Sequence, residues 1–292
     1  MNTFHEITSR MPKQIRVVLE ELDDTVIEKT EEIRMRSNCP IIIRGGRQER
    51  KTDYIISSSD LIQVVNSLIE YSYYAYEEDL ARGFITISGG HRVGICGRPV
   101  LRQGEPVMMK EISSLNIRFA KEMKGCSRKL IPEIINNGKL TNTLIISPPG
   151  CGKTTLLRDL ARELSENRFQ VAICDERSEI AGMHQGKPGF DLGMRCDVLD
   201  GCEKAKGIPM LIRSMAPEVI ITDEIGKPED LSAIRQCLTS GIPLITSIHG
   251  ESLNDVLRSE VGILAEQGIF HTMIYLTNLG GPGTVREVVH CV

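Results

Sequence analysis

The stretch Leu144-Ile145-Ile146-Ser147-Pro148-Pro149-Gly150-Cys151-Gly152-Lys153-Thr154 decides the fold. A short apolar run feeds a glycine-bearing loop, and the residues after it, Thr155 to Ser165, set Leu156, Leu157, Leu160 and Leu164 on one helical face. Strand, loop and helix in that order are the context of a phosphate-binding loop. Gly150 and Gly152 let backbone N–H groups turn inward around phosphate oxygens, and the helix N-terminus adds its partial positive charge. The spacing predicts a nucleotide-binding set of Ser147, Pro148, Pro149, Gly150, Cys151, Gly152, Lys153, Thr154 and Thr155, with Lys153 on the β- and γ-phosphates and the Thr154 hydroxyl on Mg²⁺. Ser147 stands where this motif usually has glycine.

Working outward, Val219-Ile220-Ile221-Thr222-Asp223-Glu224 is a second apolar strand, ending in two carboxylates. Open α/β sheets bind ligands at the carboxyl ends of their strands, so Asp223 is expected to hold Mg²⁺ and Glu224 to polarise the attacking water. Two further strand ends face the same edge: Cys174-Asp175-Glu176-Arg177-Ser178-Glu179 after Val171 to Ile173, and Ser247-Ile248-His249-Gly250 after Leu244 to Thr246. His249 there can sense a γ-phosphate or orient water, or be a solvated loop histidine. Arg213, just before the Val219 strand, reads equally as a helix surface charge or a phosphate ligand.

Apolar runs alternating with helical stretches from Leu144 onward predict an α/β fold: a P-loop NTPase (RecA/AAA-like) with a parallel sheet flanked by helices. Before it stands a smaller α+β domain over residues 1–125, joined by a linker over 126–140 to the ATPase domain over 141–292. In the first domain Ser57-Ser58-Ser59-Asp60 offers a cap to an amphipathic helix expected over about 60–80. Phe84 to Ile87 and Val93 to Cys96 read as a hairpin turned by Gly89-Gly90, and Ile33 to Arg36 pairs with Ile41 to Arg44 through Asn38-Cys39-Pro40. Arg34, Arg36, Arg92 and Arg118 lie beside these strand-like residues, and any of them is a candidate to reach a transferring phosphate from a neighbouring subunit or domain.

Composition narrows the function. The net charge of −4, with no Trp and 4% aromatic residues, argues against a nucleic-acid partner, which calls for basic patches and stacking platforms. Nine scattered cysteines form no CxxC pair and indicate neither a disulfide framework nor a zinc module, so the chain reads as cytoplasmic and reduced. No apolar run is long enough for a membrane span or a signal-peptide core. Alternatives to a motor are a nucleic-acid-dependent P-loop ATPase and a nucleotide-gated structural subunit without turnover.

The segment Leu144 to Gly250 resembles the secretion ATPase superfamily, the hexameric motors of type II and type IV secretion and type IV pili. Asp175 to Glu179 is similar to its acidic box, Arg213 precedes the second carboxylate motif, and His249 is similar to its histidine box. The longer strings Asp175 to Gly182, Arg213 to Gly226, Glu32 to Arg36 and Ser88 to Gly94 resemble the stage III sporulation AA family of endospore-forming bacteria. That resemblance implies an ATP- and Mg²⁺-dependent ATPase forming a homo-oligomeric ring, hexameric in the superfamily. It also implies a site peripheral to a membrane complex on the mother-cell side, with channel proteins of the sporulation apparatus as partners. Asp223-Glu224 departs from the Gly-Glu usual in pilus and secretion motors, leaving Glu224 and Glu176 both open as the main catalytic carboxylate, with Lys153, His249 and Arg213 as further catalytic candidates.

Overall fold

A computed structural model describes residues 3–46, 48–257, 260–281 and 283–291. Ten α-helices are among them: α1 (Thr3–Ser9), α2 (Lys13–Glu20), α3 (Asp24–Lys29), α4 (Ser58–Leu68), α5 (Glu77–Ala81), α6 (Lys153–Glu166), α7 (Lys204–Met215), α8 (Asp230–Ser240), α9 (Leu253–Leu257) and α10 (Glu260–Glu266). The strands are β1 (Glu32–Arg36), β2 (Cys39–Gly45), β3 (Gln48–Ile56), β4 (Phe84–Ile87), β5 (His91–Arg102), β6 (Glu105–Arg118), β7 (Ile135–Asn136), β8 (Lys139–Leu140), β9 (Thr143–Ser147), β10 (Val171–Asp175), β11 (Cys196–Asp200), β12 (Val219–Glu224), β13 (Leu244–His249), β14 (Thr272–Thr277) and β15 (Thr284–His290). Two compact units hold them: one runs to Ala120 and reclaims Gly182–Gly189, the other takes Lys121–Ala181 and Phe190 onward. The change of unit thus falls at Ala120, ahead of the expected linker.

The first unit is an antiparallel sheet of order β3-β2-β1-β6-β5-β4. Alternation explains its two faces: Ile33, Met35, Ile43, Ile85, Val93, Ile95, Leu115 and Ile117 point into a core with Phe4, Ile7, Ile15, Leu19 and Leu61. Each such side chain contributes roughly 1.5–3 kcal/mol on burial. Both expected hairpins form, with Ile33 opposite Ile43 and Phe84 opposite Gly94. The register sets Arg92 beside Arg118 and Arg118 beside Glu32. Arg34 and Arg36 follow on alternate residues of β1, so the four candidate arginines share the face opposite the core. Arg34 Nε donates to Glu32 Oε1 at 2.8 Å, holding that carboxyl below its ordinary range. Arg92 lies over the Phe84 ring, 3.8 Å from its centroid.

One helix over 60–80 does not form. Ser57 and Asp60 make a reciprocal capping box that starts α4, but Glu70 and Tyr71 both take positive φ (51° and 59°), which ends the helical path. A 3₁₀ turn over Tyr73–Tyr76 and α5 follow.

The second unit is a seven-stranded sheet of order β11-β10-β12-β13-β9-β14-β15, parallel except for the edge pair β14–β15. The central strands are buried along nearly their whole length, the pattern of a sheet covered on both faces. Helix α6 departs from the expected one-sided pattern: Arg158, Asp159, Arg162 and Glu163 are buried along with its leucines. Their polar groups are satisfied internally. Arg162 pairs with Asp159, Glu163 and Glu166, and Arg158 donates to the carbonyls of Ile180 and Glu179 while stacking on Phe190. Residues 126–140 pack rather than link. Ser127 binds Asp159 Oδ2 through both its N–H and its hydroxyl at 2.7 Å, and Leu130, Ile131 and Ile134 are buried. Among the described residues no helix is long and apolar enough to cross a membrane.

Candidate nucleotide site

The loop between β9 and α6 owes its shape to two left-handed glycines, Gly150 (φ 75°) and Gly152 (φ 87°), the latter capping α6. Space is not what requires glycine at position 150, since a Cβ there would meet nothing within 4 Å. Ser147, fully buried, turns its hydroxyl onto the Pro148 carbonyl at 2.8 Å, so the side chain at this usual glycine position is satisfied locally. Lys153 opens the helix, and Thr154 and Thr155, both half-buried, follow in its first turn. From the other end of the unit, Gly283 N–H donates to the Cys151 carbonyl at 2.7 Å, a brace that sequence reading did not find.

Strand register gathers the chemistry. His249 pairs with Ser147 across β13–β9, and Glu224 pairs with Ser247 across β12–β13. Lys153 Nζ thereby stands 2.7 Å from His249 Nδ1, 3.7 Å from Glu224 Oε2 and 3.4 Å from the Ser147 carbonyl. His249 Nε2 stands 2.7 Å from the same Glu224 oxygen. An ammonium only donates, so Nδ1 accepts, and the ring proton sits on Nε2 and points to Glu224. Burial pushes Lys153 below its ordinary value, with Glu224 opposing. Lysine, histidine and glutamate from three elements therefore meet at the mouth of the loop.

The neighbouring acidic residues divide into different tasks. Asp175, fully buried, accepts the N–H groups of Glu179, Ile180 and Ala181 at 2.8–3.0 Å and so folds the loop after β10. Burial raises its carboxyl to about 6 against those bonds. Glu176 is gripped by two ammonium groups, Lys204 Nζ at 2.7 Å on Oε2 and Lys227 Nζ at 2.8 Å on Oε1. Burial would raise this carboxyl, but the two lysines prevail and hold it at about 2. Asp223 is buried and its carboxyl is raised by that burial, with Lys204 opposing. Lys204 Nζ lies 2.7 Å from Asp223 Oδ1, yet outside hydrogen-bond angles, so this oxygen is charge-paired but accepts no hydrogen bond.

Lys204 and Lys227 were not anticipated. A signal existed for Lys204: it is the first residue of α7, where a positive charge opposes the helix dipole and calls for an anionic partner. Arg213 stands apart from the cluster. It is exposed in the last turn of α7, its Nε donates to the Pro209 carbonyl, and it precedes the start of β12, whereas the loop lies where strands end.

Comparison with known proteins bears on the fold and the family. A solved structure of the ATPase DotB of Legionella pneumophila matches with a TM-score of 0.58 at 17% identity, over 91% of this chain and 76% of that one. The pilus retraction motor PilT with bound ADP matches with a TM-score of 0.57 at 14% identity, over 86% of this chain and 75% of that one. Such identities speak for the fold alone, that of an α/β P-loop NTPase. Stage III sporulation protein AA of Bacillus subtilis (strain 168) is 42% identical over 291 residues, covering 97% of this chain and 94% of the relative. The family model for sporulation stage III, protein AA matches residues 1–291. With its fold and almost its whole length accounted for, the chain belongs to the stage III sporulation protein AA family.

Proposed function

We propose that the chain is an ATP-hydrolysing motor subunit of a secretion-like apparatus, powering or assembling the channel between mother cell and forespore during endospore formation. The observation that carries the enzymatic half is the meeting of Lys153, His249 and Glu224 at the mouth of the Ser147–Thr154 loop. The loop's N–H groups and Lys153 take the phosphates. Glu224, half-exposed and oriented by His249, holds and deprotonates the attacking water. Lys153 contacts Glu224 as well, so a γ-phosphate that draws the ammonium to itself leaves this carboxylate to the water.

The residues present suit Mg²⁺: the Thr154 hydroxyl and Asp223, whose buried Oδ1 has acceptor capacity that no hydrogen bond uses, would hold it. When bound, the ion supplies positive charge to the phosphate oxygens. The motor half of the proposal rests on family membership and on the fold shared with DotB and PilT. A ring of like subunits, a cytoplasmic position against a membrane complex on the mother-cell side and channel proteins as partners belong to the same reading. No nucleic-acid partner does.

Three variants test it. Glu224→Gln is expected to bind ATP and lose ~10²–10⁴-fold in turnover, the range of a general base. Glu176→Gln is expected to keep most of its turnover, because both carboxylate oxygens are already committed to lysines. Lys153→Ala is expected to lose nucleotide-dependent activity with its circular dichroism intact. Normal turnover in Glu224→Gln beside an inactive Glu176→Gln would move the base to Glu176, and full activity in Lys153→Ala would refute the site.

A further inference from the structure

Lys204 is only 3% exposed, and one nitrogen serves two carboxylates from neighbouring strands: Glu176 Oε2 and Asp223 Oδ1, each at 2.7 Å. Packing fixes this position. Gly207, one turn further along α7, has no room for a side chain: an added Cβ would lie 2.7 Å from Cys174 Sγ, 3.0 Å from Leu199 Cδ2 and 3.3 Å from Cys202 Sγ. The N-terminus of α7 is thereby pressed onto the ends of β10 and β11, delivering Lys204 between the two acids. A buried ammonium is costly unless paired, and here it is paired twice.

Two converging carboxylates around one point are also what a divalent cation seeks. We propose that Lys204 is a built-in counter-cation, a positioning residue that keeps divalent metal off Asp223 and Glu176 until nucleotide brings it, so that metal capture depends on nucleotide. The inference rests on reading Asp223 as a metal ligand. The nitrogen fills the place where such an ion would touch both oxygens. Lys227 lacks this role. It is 55% exposed and reaches only Glu176 Oε1, the oxygen turned from Lys204.

The test is Mn²⁺ binding to full-length protein without nucleotide, followed by electron paramagnetic resonance and by the shift of the melting temperature with added Mn²⁺. Wild type and Lys227→Met are expected to show no saturable site. Lys204→Met, which keeps the length of the side chain but not its charge, is expected to gain one site per chain, at least ~10-fold tighter than any wild-type binding, since two unscreened carboxylates then face one point. Lys204→Met/Glu176→Gln is expected to lose that site again. Should Lys204→Met be too unstable to isolate alone, the inference requires that Mn²⁺ restore its folding.

A wild type that binds Mn²⁺ as tightly as Lys204→Met overturns the proposal. So does a folded Lys204→Met without a new site, an unstable one that Mn²⁺ does not rescue, or a Lys227→Met that gains the same site. No ATP enters this measurement. A protein without ATPase activity would defeat the functional reading and leave the metal result standing, whereas an active wild type with the wrong Mn²⁺ behaviour would defeat this inference alone.

Discussion

Gly207→Ala is the sharpest probe of how the site is assembled. Gly207 is inside α7 with ordinary helical φ, so on propensity alone alanine should stabilise the helix by ~0.8–1 kcal/mol. The surroundings oppose this. The new Cβ would sit 2.7 Å from Cys174 Sγ, a distance real side chains do not tolerate, and Cys174 is fully buried on β10. Relief requires a shift of close to ~1 Å in a well-packed interior, at ~1–3 kcal/mol, so the net effect is a loss of up to ~2 kcal/mol. The shortest of the three contacts is with one sulfur, which allows a cleaner test. In a Cys174→Ala background that sulfur is gone while the contacts with Leu199 and Cys202 remain, so Gly207→Ala should cost less, giving a coupling of ~1 kcal/mol or more in a double-mutant cycle. The assay is calorimetric melting, read on the transition that ADP shifts, because two units need not unfold together. Stabilisation by the single substitution, or its independence of residue 174, would refute the argument that glycine is needed for close approach and with it the account of how Lys204 is seated.

Two further predictions concern acid and dilution. Glu176 is held at about 2 against an ordinary 4.5, so its pairing supports the fold above pH 4.5 and is lost as pH falls from there towards 2. Glu176→Gln should therefore lose less melting temperature than wild type over that acid window, and equal losses would show that the lysines do not grip this carboxyl. Specific ATPase activity should fall on dilution and ATP should favour the larger species by light scattering, since an arginine supplied in trans (Arg34, Arg36, Arg92, Arg118 or Arg213) is worth ~10³ or more in rate in related phosphoryl transfers. A fully active monomer would refute the ring.

What was legible in the sequence is what local chemistry dictates. The phosphate loop needs glycine at two left-handed positions, and Gly150 and Gly152 hold them. The β1–β2 and β4–β5 hairpins follow from alternation and from Asn38 (φ 59°) and Gly89-Gly90 (φ 83° and 71°). The helix expected over 60–80 failed because apolar spacing says where a helix gains from packing and not where the backbone leaves αR, which Glu70 and Tyr71 do without glycine or proline to announce it. The reach of the first unit failed for a related reason. Gly182–Gly189 lies deep in the second half of the chain yet belongs to the first compact unit, where Gly189 approaches Gly90 so closely that a Cβ would lie 2.4 Å from its nitrogen. A close approach between residues a hundred positions apart leaves only a glycine as its trace.

The two Asp-Glu pairs make the same point about function. Asp175-Glu176 and Asp223-Glu224 end adjacent parallel strands, and nothing in either dipeptide ranks one above the other as source of the base. Their neighbours separate them. Asp175 accepts three backbone N–H groups and Glu176 is held by two lysines, so both carboxylates are engaged within the fold. Asp223 retains a buried oxygen without a hydrogen bond, and Glu224 is half-exposed beside a histidine whose register is fixed by Ser147 on the loop strand. The first pair is bound inward and the second faces the loop. The proposal that Glu224 rather than Glu176 is the base thus rests on which carboxylates the fold already engages, a quantity that depends on α7 docking against β10 and that no reading of either strand by itself contains.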